Sequence, residues 1–240
     1  MKKILLFSTL LLIIHVTAYA QVDFGKIGKT VENTLSKGTT PSNEEVIAGL
    51  KEALTIGGDK ASTTASAVNG YYKNPKIKIP FPPEAKSMEK KLRSMGMKKQ
   101  VDKFILTMNR AAEEAARKSA PIFANAIRGM NITDGVNILK GADTAATGYL
   151  RQKTSVPLHQ EFKPVVKEAV QKVDVTKYWK PLVSAYNKIP MVEKMNPDLD
   201  EYITNQALQG LFYLVSQEEI KIRKDPAARV TDLLKKVFGK

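Results

Sequence analysis

Residues 196–226 read NPDLDEYITNQALQGLFYLVSQEEIKIRKDP, and both ends of the stretch carry the chemical marks of a helix. Asn196 suits a cap and Pro197 the first helical position, while Asp198, Asp200 and Glu201 favour the positive end of a helix dipole. Lys221, Arg223 and Lys224 favour the negative end, and Pro226 stops the run. Such a helix spans about 42 Å, the width of a small domain. A stripe through Glu201, Asn205, Gln209, Ser216 and Glu219 is expected to face water, whereas Leu211 to Val215 is apolar on every side and has to be surrounded. The stretch therefore predicts the long central helix of an all-α, single-domain multi-helix bundle.

On its N-terminal side, Ser42 and Glu45 have capping-box spacing, and Val46, Ile47, Leu50, Ala53 and Leu54 recur at helical intervals up to Gly57-Gly58. Asn74 to Pro83, NPKIKIPFPP, interrupts this: its prolines predict an extended arm lying on the domain, with Ile77 and Ile79 facing in and Lys76 and Lys78 facing out. Pro83 opens a helix through Leu92, and a longer one over Lys98–Lys118 places Val101, Phe104, Ile105, Met108, Ala112 and Ala115 inward. Pro121 bends or restarts the chain, Thr133 caps a short helix ending at Gly141, and Asp143 caps the next, to about Lys153. Two further helices are expected at about Pro157–Val173 and Thr176–Lys188, kinked by Pro164 and Pro181. Past Pro226, a last amphipathic helix sets Val230, Leu233, Leu234, Val237 and Phe238 against Lys235 and Lys236.

Residues 1–20 stand apart. Lys2 and Lys3, the apolar run Ile4–Val16 and the Ala18-Tyr19-Ala20 end predict a signal peptide cleaved before Gln21; the competing reading is an uncleaved anchor, for which the run is short. Residues 21–41, with Gly25, Gly28, Gly38 and Pro41, read as a flexible leader, and residues 42–240 as the helical domain. An exported protein, periplasmic or extracellular, with no later membrane span is the expectation. The chain has no cysteine, which removes disulfides, thiolate nucleophiles and cysteine metal sites, and of its two histidines only His159 lies outside the signal segment.

The formal charge is +14, and it is unevenly spread. Residues 73–103 hold 10 basic and 3 acidic groups, and residues 221–240 hold 7 and 2, so two short segments carry nearly all the excess. A clustered field of this kind attracts anionic surfaces or polymers, although a solvated basic face serving solubility explains it equally well.

Four stretches together have a familiar order: IPFPPE at Ile79–Glu84, LKGADTAATGYLRQKT at Leu139–Thr154, NPDLDEYITNQALQGLF at Asn196–Phe212 and DPAARVTDLLKKVFG at Asp225–Gly239. In them the chain resembles the bacterial domain-of-unknown-function 4197 family, from about Glu44 onward. The resemblance implies an exported, predominantly helical bacterial protein and carries no catalytic or ligand residues to transfer.

Three constellations merit chemical attention. Asp143, Thr147 and Arg151 fall at i, i+4 and i+8 with Thr144 beside them, which is either a small anion or carboxylate site at a helix N-terminus or a cap followed by a salt-bridged face. Glu113 and Glu114 lie between Arg110 and Arg117; a desolvated carboxylate there suits a general acid for glycan cleavage, and intrahelical ion pairs explain the same letters. His159, near Glu161, lacks the spacing of a metal motif, and no phosphate loop or nucleophile elbow occurs, so neither metal nor cofactor is expected. The basic arm and helix, with Lys86, Lys90, Arg93 and Lys98, form the strongest electrostatic feature. An anionic envelope component or envelope protein suits them better than nucleic acid, because stacking aromatics are sparse in the segment. The functional expectation is a non-catalytic binding or scaffolding module of the cell envelope; the alternative is a carboxylate-dependent hydrolase acting on envelope glycans.

Overall fold

The structure is a computed structural model, and it describes residues 42–94, 96–172 and 198–238, together with positions 179, 184, 187, 188, 190, 191 and 194. Eight α-helices lie within the described residues: α1 (Asn43–Ser66), α2 (Lys86–Ser94), α3 (Lys98–Ala116), α4 (Ser119–Arg128), α5 (Ile132–Lys140), α6 (Ala145–Gln171), α7 (Leu199–Lys224) and α8 (Asp232–Phe238). Short 3-10 turns at Pro83–Ala85 and Pro226–Ala228 complete the regular structure, and no strand occurs among the described residues. The fold is all-α.

At the start of α1 the capping box forms as expected: the Glu45 amide donates to the Ser42 hydroxyl, and the Ser42 amide donates to the Glu45 carboxylate. The helix does not end at Gly57-Gly58. Both glycines are buried in its middle, Gly58 against the Phe123 ring of α4 and Gly57 against Glu218 and Ile222 of α7, so packing overrides their poor helix propensity.

Central helix α7 packs against α1, α6 and α3 and supplies Ile203, Ala207, Leu211, Phe212 and Val215 to the core. It starts one residue past Asp198, whose carboxylate accepts from the Glu201 amide as the cap; Asn196 and Pro197 lie outside the described residues. The expected water-facing stripe holds at Asn205 and Gln209 and fails at Glu219, which is buried.

Helix α6 is the larger departure. In place of two helices broken near Pro157, one helix of 27 residues runs through Pro157 and Pro164. Its inner face repeats every fourth residue without a gap, Ala146, Leu150, Thr154, Leu158, Phe162, Val166 and Val170, all buried. Pro164 is exposed and Pro157 half-buried, so the missing N–H groups and the ring bulk fall away from that face. The helix expected at Thr176–Lys188 lies almost wholly outside the described residues.

After α1 the chain turns through Asn69, which takes a left-handed φ of 71°, and the proline-rich segment then lies across α3 and α7 as an arm. Ile77 and Ile79 are buried and Lys76 and Lys78 exposed, as their alternation predicts. Phe81 meets Phe104 and Trp179 edge-on. At Gly210 a side chain would come within 2.7 Å of the Tyr71 ring and 3.0 Å of Ile77 Cβ, so this glycine is what lets the arm approach the central helix.

The starts of α5 and α8 differ from the sequence pattern. Asn131 and Asp134, not Thr133, form the capping box of α5. Val230, expected on the apolar side of the last helix, is exposed and precedes α8, while Leu233 and Leu234 are buried against α1.

Candidate functional site

The basic segment at residues 73–103 carries the strongest sequence signal. On α2, Lys86, Lys90 and Arg93 recur at i, i+4 and i+7, one helical stripe. Arg93 leaves that stripe to bond Glu89 on its own helix and, at 2.7 Å, Asp102 on the second turn of α3. Asp102 is one turn beyond Lys98, so the Arg93–Asp102 contact draws the Lys86–Lys90 stripe and Lys98 toward one surface. Lys86, Lys90, Lys98, Lys99 and Lys103 are exposed, and among the described residues none of these five has a carboxylate partner. Arg93, in contrast, is neutralised.

The second basic segment is spent internally. Lys221 pairs with Glu218, Lys224 with Asp143, Lys235 with Asp232 and Lys236 with both oxygens of Glu45. Arg223 pairs with Glu219, and Arg229 donates to the Ile222 and Arg223 carbonyls at the end of α7. Lys235 and Lys236, expected to add to an outward field, each have a carboxylate partner on the protein. Of the two segments, it is the first whose lysines lack carboxylate partners among the described residues.

The helix N-terminus near Asp143 does hold an anion, and the protein supplies it. Helix α6 begins at Ala145, and its N-cap Thr144 makes no side-chain cap bond. Glu219, from α7, takes that place: one oxygen accepts the Ala146 amide at 3.0 Å, the other the Thr147 amide and the Thr147 hydroxyl, each at 2.8 Å. Arg223 closes the arrangement by donating to the first oxygen at 2.9 Å and to the Ile138 carbonyl at the end of α5. The expected line of Asp143, Thr147 and Arg151 is not formed. Asp143 stands before the helix, where Lys224 holds its carboxyl below the usual range, and Arg151 lies over the Phe212 ring, 4.7 Å from its centre. Of the four residues, Thr147 alone reaches the bound carboxylate.

Glu113 and Glu114 separate cleanly. Glu114 is exposed and paired with Arg117, an ordinary surface contact one turn away. Glu113 is buried, and its oxygens are taken by the Tyr71 and Tyr72 amides, at 3.2 and 3.1 Å, and by Arg110, which also grips Asn69. Its carboxylate thus holds the turn that leads into the arm. Tyr71 donates its phenol to the Ala207 carbonyl at 2.6 Å, and burial, with Glu113 nearby, pushes that phenol well up. Neither Glu113 nor Glu114 lines the void of about 20 Å³ that Glu219 and Arg223 border or the open groove of about 340 Å³ between α4 and α6.

His159 meets Glu201 of α7 at 2.9 Å, not its neighbour Glu161. Lys163, one turn on, bonds Glu201 at 2.7 Å and Asp198 at 3.2 Å, and Asn205 adds a further donor to Glu201. Lys163 foremost, then His159, hold the Glu201 carboxyl down to about 2. The group ties α6 to the start of α7. Among the described residues no cluster of three or more His, Asp or Glu side chains is placed to hold a metal ion, and no helix is long and apolar enough to cross a membrane.

Sequence reasoning missed Glu219 and Asn109, two buried polar side chains that each join separate parts of the fold. A signal existed for both: each occupies a core-facing phase, Asn109 among Phe104, Ala112 and Met108, Glu219 one turn past Val215 and three residues before Ile222. A polar residue in that phase requires a partner.

No curated protein and no solved structure matches the chain. Residues 40–239 match the model described as "Protein of unknown function (DUF4197)", and since that match spans most of the 240 residues, the chain belongs to the DUF4197 family.

Proposed function

We propose that the protein is an exported, non-catalytic binding or scaffolding module of the cell envelope, whose unpaired lysines on α2 and the first turns of α3 meet an anionic partner. The observation that carries this reading is the contrast between the two basic segments. Residues 221–238 have acidic or carbonyl partners for each of their cations described above, whereas Lys86, Lys90 and Lys98 have none among the described residues. Charge that serves only the fold is compensated within it; charge left exposed and uncompensated on one surface is available to steer and hold an anion. Export is supported by the Lys2-Lys3 start, the Ile4–Val16 run and the Ala18-Tyr19-Ala20 end. The hydrolase reading would have to run on Glu113, whose oxygens already serve two backbone amides and Arg110.

The test is co-sedimentation of the mature protein with vesicles rich in anionic phospholipid, and its retention on an acidic polysaccharide column, over a salt gradient. Lys86→Glu, Lys90→Glu and Lys98→Glu combined are expected to abolish salt-sensitive binding, with each single change weakening it several-fold. Binding that survives the triple change would sink the proposal.

A further inference from the structure

The outer faces of α4 and α6 do not close on one another. Between them runs a groove of about 340 Å³, at the lower end of the sizes that admit small organic ligands. Its opening has a local cause. Along α4 and its C-cap the stripe facing α6 contains Ala126 and Gly129, which bring almost no side chain to a place where larger residues would interdigitate. Tyr149 spans the gap by donating its phenol to the Ala126 carbonyl at 3.3 Å. Pro157, one turn beyond Lys153, has no N–H to return to the Lys153 carbonyl.

The side-chain groups left available in the groove are donors. Lys153 points its ammonium across the Tyr149 ring, 5.8 Å from its centre, and among the described residues has no carboxylate partner. The side-chain oxygen of Asn125 receives the Arg128 guanidinium, which leaves its NH₂ as the end available to a ligand. Thr154 offers nothing, because its hydroxyl is donated to the Leu150 carbonyl at 2.6 Å. Asp134, the carboxylate whose field reaches Tyr149, is engaged by the Asn131 amide in the α5 capping box. The remaining surface is apolar: Ile122, Ala126, the Pro157 ring and the face of Tyr149.

Two donors, one of them cationic, above an apolar floor match one class of molecule. We propose that the α4–α6 groove binds a small amphiphilic carboxylate, its two oxygens taken by Lys153 Nζ and Asn125 Nδ2 and its hydrocarbon or aryl body lying on Ile122, Ala126 and Pro157. The site is separate from the lysine surface on α2 and α3 and does not depend on it.

Isothermal titration of the full chain with decanoate, and with decanol as the uncharged counterpart, tests the proposal. Decanoate is expected to bind saturably with one site, and decanol at least tenfold more weakly, the range of a charge-assisted hydrogen bond. Lys153→Glu is expected to weaken decanoate at least tenfold, Asn125→Leu several-fold, and Ala126→Trp, which fills the groove, to remove binding; Lys86→Glu leaves it unchanged. Circular dichroism of each variant separates lost binding from lost folding, and the two polar-group variants keep the test open if Ala126→Trp does not fold. No saturable binding of decanoate at millimolar concentration overturns the assignment. So does binding that ignores Lys153→Glu, or that follows Lys86→Glu instead.

Discussion

The side-chain amide of Asn109 lies against the backbone of Ile79 as a neighbouring strand would, accepting the Ile79 N–H at 2.8 Å and donating to the Ile79 carbonyl at 2.9 Å. The second amide hydrogen goes to the Ile105 carbonyl of its own helix, so both amide hydrogens and the oxygen of a fully buried side chain are engaged. With no strand among the described residues to pair the arm, one asparagine does so. Asn109→Leu is expected to cost about 2–4 kcal/mol, because the Ile79 N–H and carbonyl then lie buried without partners. Asn109→Asp should cost at least as much, since a buried carboxylate faces the Ile79 carbonyl in place of a donor. Urea unfolding midpoints at constant m-value measure both; a loss below about 0.5 kcal/mol would show that the arm is held by its isoleucines alone.

Glu219 and Arg223 form a buried pair with side chains 7% and 13% exposed, and breaking one partner leaves the other charge uncompensated. Glu219→Gln is therefore expected to destabilise by about 3 kcal/mol, more than Thr147→Val, which removes only one of the four kinds of contact Glu219 makes. A double-mutant cycle with Arg223→Met should return a coupling energy of at least about 1 kcal/mol. Additive effects would mean that Glu219 acts as a helix cap and not as half of an ion pair.

Two helical glycines should respond oppositely to alanine. At Gly210 the new Cβ meets Tyr71 and Ile77 within 3.0 Å, and the resulting displacement of the arm, about 1–3 kcal/mol, outweighs the gain of roughly 1 kcal/mol in helix propensity. At exposed Gly148, nothing lies within 4 Å, and the same change should stabilise by up to about 1 kcal/mol. Thermal midpoints moving in the same direction would contradict the packing at Gly210.

Acid should loosen the α6–α7 tie late. The Glu201 carboxyl is lowered from 4.5 to about 2, so its contribution is fully present above the unfolded value near 4.5 and disappears as pH falls toward 2. Because the side chain is 30% exposed, solvent screening limits the effect to on the order of 1 kcal/mol. The stability difference between wild type and Glu201→Gln is expected to shrink as pH falls from about 4.5 to 2. A difference that stays flat down to pH 2 would remove Lys163 and His159 as the groups that hold the carboxylate.

The sequence by itself determined the all-α class, the position of the central helix, the Ser42–Glu45 capping box, the extended arm and the inward side of its isoleucines. Each rests on residues within a few positions of one another, where helical and extended periodicities are written directly. The continuity of α6 was equally legible, since Ala146 to Val170 keeps a four-residue period, apolar except at Thr154, through both prolines; reading Pro157 as a break gave local propensity more weight than the buried face. The extension of α1 past Gly57-Gly58 was not legible, because it depends on Phe123, Glu218 and Ile222 arriving from elsewhere in the chain. The same holds for the candidate sites. Charge alone could not distinguish Lys86 from Lys236, which differ in whether a carboxylate from another helix reaches them. Glu219 lies 72 residues from the helix end it caps, and Asn109 lies 30 from the backbone it pairs. For a buried polar group the sequence establishes that a partner must exist; only the packed helices decide which one it is.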